Sequence, residues 1–122
     1  MTLKNVLLIN AISSGATGIL LTAMSTFFAD LFAVGSSIPF MEVGVFLILF
    51  SAFVFISAFS GQRRKSRAKI ITVLDVTWVI ASAVAVVILF SSISTIGSFL
   101  IIAVAAWVGL MAYLQNKKLQ SI

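Results

Sequence analysis

Histidine and cysteine are both missing from this 122-residue chain. Their absence excludes disulfides, thiol redox chemistry, Cys/His zinc sites, iron–sulfur clusters and haem held by either residue. It also excludes Ser-His-Asp and Cys-His catalysis. Charge is scarce too: 9% of residues are charged, against roughly a quarter in soluble domains. A small soluble fold cannot present a wet surface with so few charges, so the solvent for this chain is lipid. The scarcest charges are the acids, three against eight Lys and Arg. The resulting net charge of +5 does not point to nucleic acid. The basic residues stand in short clusters between long apolar runs, the pattern of topology signals and of contacts to anionic lipid.

What is present is apolar: 61% of residues are hydrophobic and the mean hydropathy is +1.24. A membrane-spanning helix needs about 20 mainly apolar residues. Four stretches qualify, at about 5–29, 39–60, 70–90 and 96–114. They predict an all-α fold, a single membrane domain over 1–122 built as an antiparallel bundle of four transmembrane helices. Lys4 followed by Val6-Leu7-Leu8-Ile9 has the start of a signal peptide, but the apolar run continues to Phe28, too long for one. It reads as a retained first helix. Gly35-Ser36-Ser37 separates the first two spans, and Pro39 suits a first helical turn because its missing N–H costs nothing there. Glu42 is expected in that same turn, where the helix dipole favours an acid. Gly61 ends the second span, and 91–95 forms an uncharged turn.

The charges set an expected orientation. Arg63, Arg64, Lys65, Arg67 and Lys69 fall in a predicted loop at 61–69; Lys4, Lys117 and Lys118 lie at the two ends. All eight basic residues therefore fall on one side. Asp30 and Glu42 flank an opposite loop. By the positive-inside rule both termini and the basic loop are cytoplasmic, in a multi-pass protein of the cell membrane (N-in/C-in).

Asp75 is the one acid that falls inside a span rather than at its end. Five residues past Ile70 it lies roughly 8 Å into the helix. A carboxylate at that depth is costly unless paired, hydrated or protonated. Thr72, Val79 and Ser82 share its face, with Trp78 at the edge. The first span carries a matching stripe of Asn10, Ser14, Thr17, Leu21 and Ser25, which places Asn10 at the depth of Asp75. Trp78 and Trp107 are too deep for an interfacial belt, so they are candidates to line a small pocket; Tyr113 fits the belt. The ligand-binding residues expected are thus Asp75, Asn10, Trp78, Trp107, Ser14 and Ser82. The same residues also suit a purely structural polar cluster or a proton or ion pathway. No catalytic residues, metal ligands or cofactors are expected, because one buried acid with no nucleophile–base pair is a poor basis for a reaction.

Ala11/Gly15, Ser14/Gly18, Ala81/Ala85 and Ala105/Gly109 are small pairs that let helices approach closely in lipid. They serve the bundle or a dimer. Phe46, Phe50 and Phe53 form one stripe on the second span, with Phe55 and Phe59 on another face; lipid contact is the expected role. A faint repeat pairs Leu8-Ile9-Asn10 with Val73-Leu74-Asp75, and Gly44-Val45-Phe46-Leu47-Ile48 with Gly97-Ser98-Phe99-Leu100-Ile101. Two parallel hairpins related by an axis along the membrane normal would produce it.

Asn10 with Ser14 and Gly18, Val43-Gly44, and Asp75 with Trp78-Val79 and Ser82 together resemble a broad group of uncharacterised small bacterial four-helix membrane proteins. The resemblance covers most of the chain. It implies a compact four-helix fold and carries no activity. Small multidrug transporters differ by a glutamate in their first helix, which has no counterpart here. Fluoride channels differ in charge pattern and in where paired phenylalanines fall; Ser25-Thr26-Phe27-Phe28 is on the wrong helix. The expectation is a non-enzymatic membrane protein that binds or helps transport a small or lipid-like molecule at a polar pocket in its cytoplasmic half. Two alternatives stand beside it: an accessory subunit of a larger membrane-protein complex, and a homo-oligomeric proton or ion conductor. Membrane lipids are the expected partners in every case.

Overall fold

A computed structural model describes residues 2–89 and 91–120; Phe90, the expected end of the third span, lies outside the described residues. The chain forms α1 (Leu3–Ala23), α2 (Ser25–Leu31), α3 (Ile38–Ala58), a 3-10 turn at Gly61–Arg63, α4 (Arg64–Leu89) and α5 (Thr95–Gln120). Four of these helices, α1, α3, α4 and α5, are long and apolar enough to cross a membrane. They run alternately up and down as an antiparallel bundle. Much of their apolar surface faces outward: Val87 is 78% exposed and Ile12 and Ile88 69%. Helices apolar on all sides suit a surrounding hydrocarbon phase.

The expected first span is broken. At Met24 the backbone leaves helical geometry (φ −117°, ψ 34°). Just before it, the Thr22 hydroxyl donates to the Gly18 carbonyl at 2.8 Å, a back-bond of the kind that bends helices. The short α2 packs against α1 and α3 and closes with a Schellman motif. The Val34 N–H donates to the Ala29 carbonyl at 2.8 Å and the Ala33 N–H to that of Asp30 at 3.1 Å. Ala33 adopts φ +60°, a left-handed conformation usually left to glycine. The α4–α5 turn locks onto this end: the Ser94 hydroxyl donates to the Leu31 carbonyl at 2.7 Å and the Ser94 N–H to that of Phe32 at 2.9 Å. The Phe32 ring covers Gly97, where an added Cβ would lie 2.8 Å from the ring.

The other boundaries shift for reasons of burial. α3 begins at Ile38, so Glu42 lies just beyond its first turn rather than within it. The basic segment 61–69 is not a loop: from Arg64 onward it is already α4. Ala68 and Ile71 are fully buried in a core shared with Leu3, Leu7, Val54, Ala58 and Leu119, and helix is the conformation that delivers both to one face. The Arg64 Nε–H donates to the Ala58 carbonyl at 2.7 Å, satisfying one of the open carbonyls at the end of α3. α5 runs past the expected stop at Leu114 because Gln115 and Leu119 are buried. Lys117 and Lys118 occupy its last turn, where cations complement the dipole.

Two hairpins build the bundle. α1 packs mainly on α3 and α4 mainly on α5; the seams between hairpins, α1–α5 and α3–α4, are thinner. The α1–α3 seam is backbone-tight. A Cβ on Gly18 would sit 2.7 Å from the Gly44 carbonyl oxygen, and one on Gly44 would sit 2.8 Å from that of Gly18. Gly15 and Gly18, from the small pairs, are thus used inside the chain. Gly109 is looser, with its added Cβ at ordinary contact, 3.7 Å, from Val79. The two halves of the faint repeat are not equivalent either: Gly44 meets the α1 backbone, whereas its counterpart Gly97 meets the Phe32 ring.

Candidate polar site

Asn10 lies on the face of α1 that also buries Leu3, Leu7 and Ala11, and Asp75 lies one helical turn from the buried Ile71 on α4. Helical spacing therefore turns both side chains into the bundle. They meet there. The Asn10 Nδ2–H group donates to Asp75 Oδ2 at 3.1 Å and to Gln115 Oε1 at 2.8 Å. Gln115 Nε2 donates to the same Asp75 Oδ2 at 3.1 Å and to Thr72 Oγ1 at 3.1 Å. The Ser14 hydroxyl donates to Asn10 Oδ1 at 3.0 Å, and the Thr72 hydroxyl to the Ala68 carbonyl at 2.8 Å. Both amides thus use their oxygen and their nitrogen. The network ties α1, α4 and α5 together, and so joins the two hairpins where their apolar seam is thin.

Gln115, fully buried at 0% exposure, was not among the residues the sequence reading singled out. Its signal was spacing. Met111, Gln115 and Leu119 recur every four residues and all three are buried. A polar residue in the middle of a buried stripe is the mark of an interhelical hydrogen bond, but Gln115 followed by Asn116-Lys117-Lys118 reads first as the polar end of a span.

The other expected residues are placed differently. Trp78 lies one turn past Asp75, half-buried, with its ring stacked on Phe46 of α3 (centroids 6.3 Å apart, planes 6° apart). Phe46 stacks in turn on Phe50 at 6.2 Å. Phe50 and Phe53 also pack against the core, so this stripe is partly an internal contact rather than a lipid face alone. The Trp78 Nε1–H is buried and finds no hydrogen-bond partner among the described residues. Ser82, two turns beyond Asp75, takes no part in the network. Trp107 is 43% exposed and Tyr113 also faces outward, so neither closes a pocket around Asp75. Two open surface grooves, of about 500 and about 430 Å³, lie along α3 and its seam with α1; neither is lined by any of the six expected residues.

Electrostatically the node is unusual in one respect. Asp75 is buried, at 3% exposure, and its hydrogen-bond partners among the described residues are neutral amides. Both of those bonds fall on Oδ2; Oδ1 accepts none among the described residues. Asp75 Oδ1 and the buried Trp78 Nε1–H, on residues one helical turn apart on α4, are thus both without a partner among the described residues. Compared with protein-family models, curated proteins and solved structures, the chain matches none, and its functional reading rests on this geometry.

Proposed function

We propose that this is a small multi-pass protein of the cell membrane, with both termini and the basic segment in the cytoplasm, that binds a small or lipid-like molecule beside Asp75. Two observations carry the reading: Asp75 Oδ1 accepts no hydrogen bond among the described residues, and the buried Trp78 Nε1–H, one helical turn on along α4, has no partner among them. A buried donor without a partner costs about 1–3 kcal/mol, and an intramembrane acid is costly unless paired, hydrated or protonated. A molecule carrying a hydroxyl or amide group supplies a donor to Asp75 and an acceptor to Trp78 at once. Phe46 of α3 and Trp78 of α4 stack across the thin seam between the hairpins, so a molecule reaching Asp75 by that seam has to pass this ring pair. The orientation rests on the basic residues, which the antiparallel bundle collects at one end.

Gly15, Gly18 and Gly44 are consumed in the α1–α3 seam, so the accessory-subunit alternative loses those close-approach positions. The experiment is a comparison of wild type and Asp75→Asn, each extracted from native membranes into nanodiscs and examined by native mass spectrometry and by density at the node. A small molecule retained by wild type and lost from Asp75→Asn, with the fold intact, supports the proposal. A dry node in wild type, with only Asn10 and Gln115 on Asp75, overturns it and leaves the acid as a staple between hairpins.

A further inference from the structure

The two surface grooves adjoin at Phe55 and Ile56, which line both. The first is lined by Phe55, Ile56, Phe59, Ser60, Arg63 and Arg67. The second continues from Phe55 and Ile56 along the α1–α3 seam to Ala52, Ser51, Ala11 and Ile12. One end is thus basic and the rest apolar. Arg63 closes the 3-10 turn and Arg67 lies in the first turn of α4, four residues on and therefore on the same side. No carboxylate pairs with either guanidinium among the described residues, since Asp30 and Glu42 belong to the opposite end of the bundle. Lys4 adds a third cation at this mouth: its Nζ stands 4.3 Å from the centre of the Phe59 ring. Arg64 does not line the groove; its Nε–H donates to the Ala58 carbonyl.

The dimensions suit one class of occupant. From Phe59 to Ser51 the groove follows α3 for eight residues, roughly 12 Å. That is close to half of the ~30 Å hydrocarbon core, one leaflet deep. The small side chains Ala11, Ser51 and Ala52 leave the trough, and Phe55, Ile56 and Ile12 wall it. Charge at the mouth and an apolar trough one leaflet deep match an anionic phosphate headgroup carrying an acyl chain. We infer that Arg63 and Arg67, with the α3 groove below them, form a binding site for one anionic glycerophospholipid of the leaflet at the basic end. Arginine suits this role because its planar fork binds a phosphate with two parallel hydrogen bonds. The site is separate from Asp75 and does not depend on the function proposed for it.

Native mass spectrometry of the whole chain in neutral detergent tests this, with phosphatidylglycerol and phosphatidylcholine of identical chains as probes. The expected result is a one-to-one adduct with phosphatidylglycerol that exceeds the phosphatidylcholine adduct at equal concentration. R63Q/R67Q should weaken it about 30-fold, on the scale of two lost basic contacts to an anionic headgroup. K65Q/K69Q removes the same charge and should leave the adduct largely unchanged. Ala52→Phe, at an exposed position, fills the trough without touching charge and should weaken the adduct through lost van der Waals packing of the acyl chain. Equal adducts with both lipids overturn the inference. So does equal loss in the arginine and lysine pairs, which would mean a diffuse basic surface. Full displacement by glycerol phosphate, or a protein dimer that Ala52→Phe abolishes in place of a lipid adduct, overturns it as well.

Discussion

Replacing Gln115 with leucine tests whether the polar node holds the two hairpins together. The side chains are similar in size, so packing changes little. What goes is a set of three hydrogen bonds: one accepted from Asn10 and two donated, to Asp75 and Thr72. Interhelical hydrogen bonds in membrane bundles average about 0.6 kcal/mol, which makes the direct loss about 2 kcal/mol. Asp75 and Asn10 are also left with a vacant acceptor and an idle donor in a closed site. One imperfectly repaired group adds about 1–3 kcal/mol. The expected total is therefore about 3–5 kcal/mol, a large part of the stability of a small domain. Lipid offers no hydrophobic force between hairpins to compensate. The chain has no cysteine, so spin labels on Asn5→Cys and Asn116→Cys report the α1–α5 separation without background. Unfolding by sodium dodecyl sulfate in mixed micelles gives the stability of the same samples. Gln115→Leu should unfold at a lower detergent fraction and show a broader, longer label distance. Asn116→Leu, at the exposed neighbouring position, should leave the unfolding midpoint of the unlabelled chain unchanged. A Gln115→Leu protein as stable as wild type, with an unchanged distance, would refute the role given to the node.

Other substitutions separate tight contacts from loose ones. Gly44→Ala pushes a methyl group into the α1 backbone and should cost about 1–3 kcal/mol in the same unfolding assay; Gly109→Ala, with ordinary contact distances, should be within about 0.5 kcal/mol of wild type. Ala33→Gly relieves a left-handed alanine at the end of α2 and should stabilise by about 0.5–1 kcal/mol, read as a later unfolding midpoint. Trp78→Phe keeps the stack on Phe46 and removes an unpartnered N–H; stability should hold or rise slightly, while any small molecule bound beside Asp75 should be released more easily in native mass spectra. Ser94→Ala breaks the link between the α4–α5 turn and Leu31, so amide exchange at residues 29–34 should accelerate with little change at Asn10 or Gln115.

The membrane-spanning helices were legible because hydropathy is a local, additive property, and the four apolar runs stand out without any knowledge of contacts. Their ends were less legible. Ala68 and Gln115 belong to buried helix, but each stands among charged neighbours that read as a loop or as the end of a span; only the partners across the bundle reveal that these turns are inside. The break at Met24 was hidden for the opposite reason, since nothing in an apolar run from Asn5 to Phe28 marks a bend except a threonine hydroxyl finding its own backbone.

The meeting of Asn10 with Asp75 was readable from depth and helical face, because both quantities follow from position along a regular helix. Ser14 came with them by the same periodicity. Gln115, Trp78 and Trp107 could not be ranked that way: all are polar or aromatic residues at plausible depth, and depth does not say which side of its helix a residue shows to a neighbour. That choice was made by the rotation of α4 and α5 against the α1–α3 hairpin. Composition and periodicity therefore account for a four-helix membrane bundle with a buried acid beside an amide. The third member of the node, the outward turn of Trp107 and the groove below Arg63 and Arg67 arise from helix packing, a non-local property to which no single segment holds the answer.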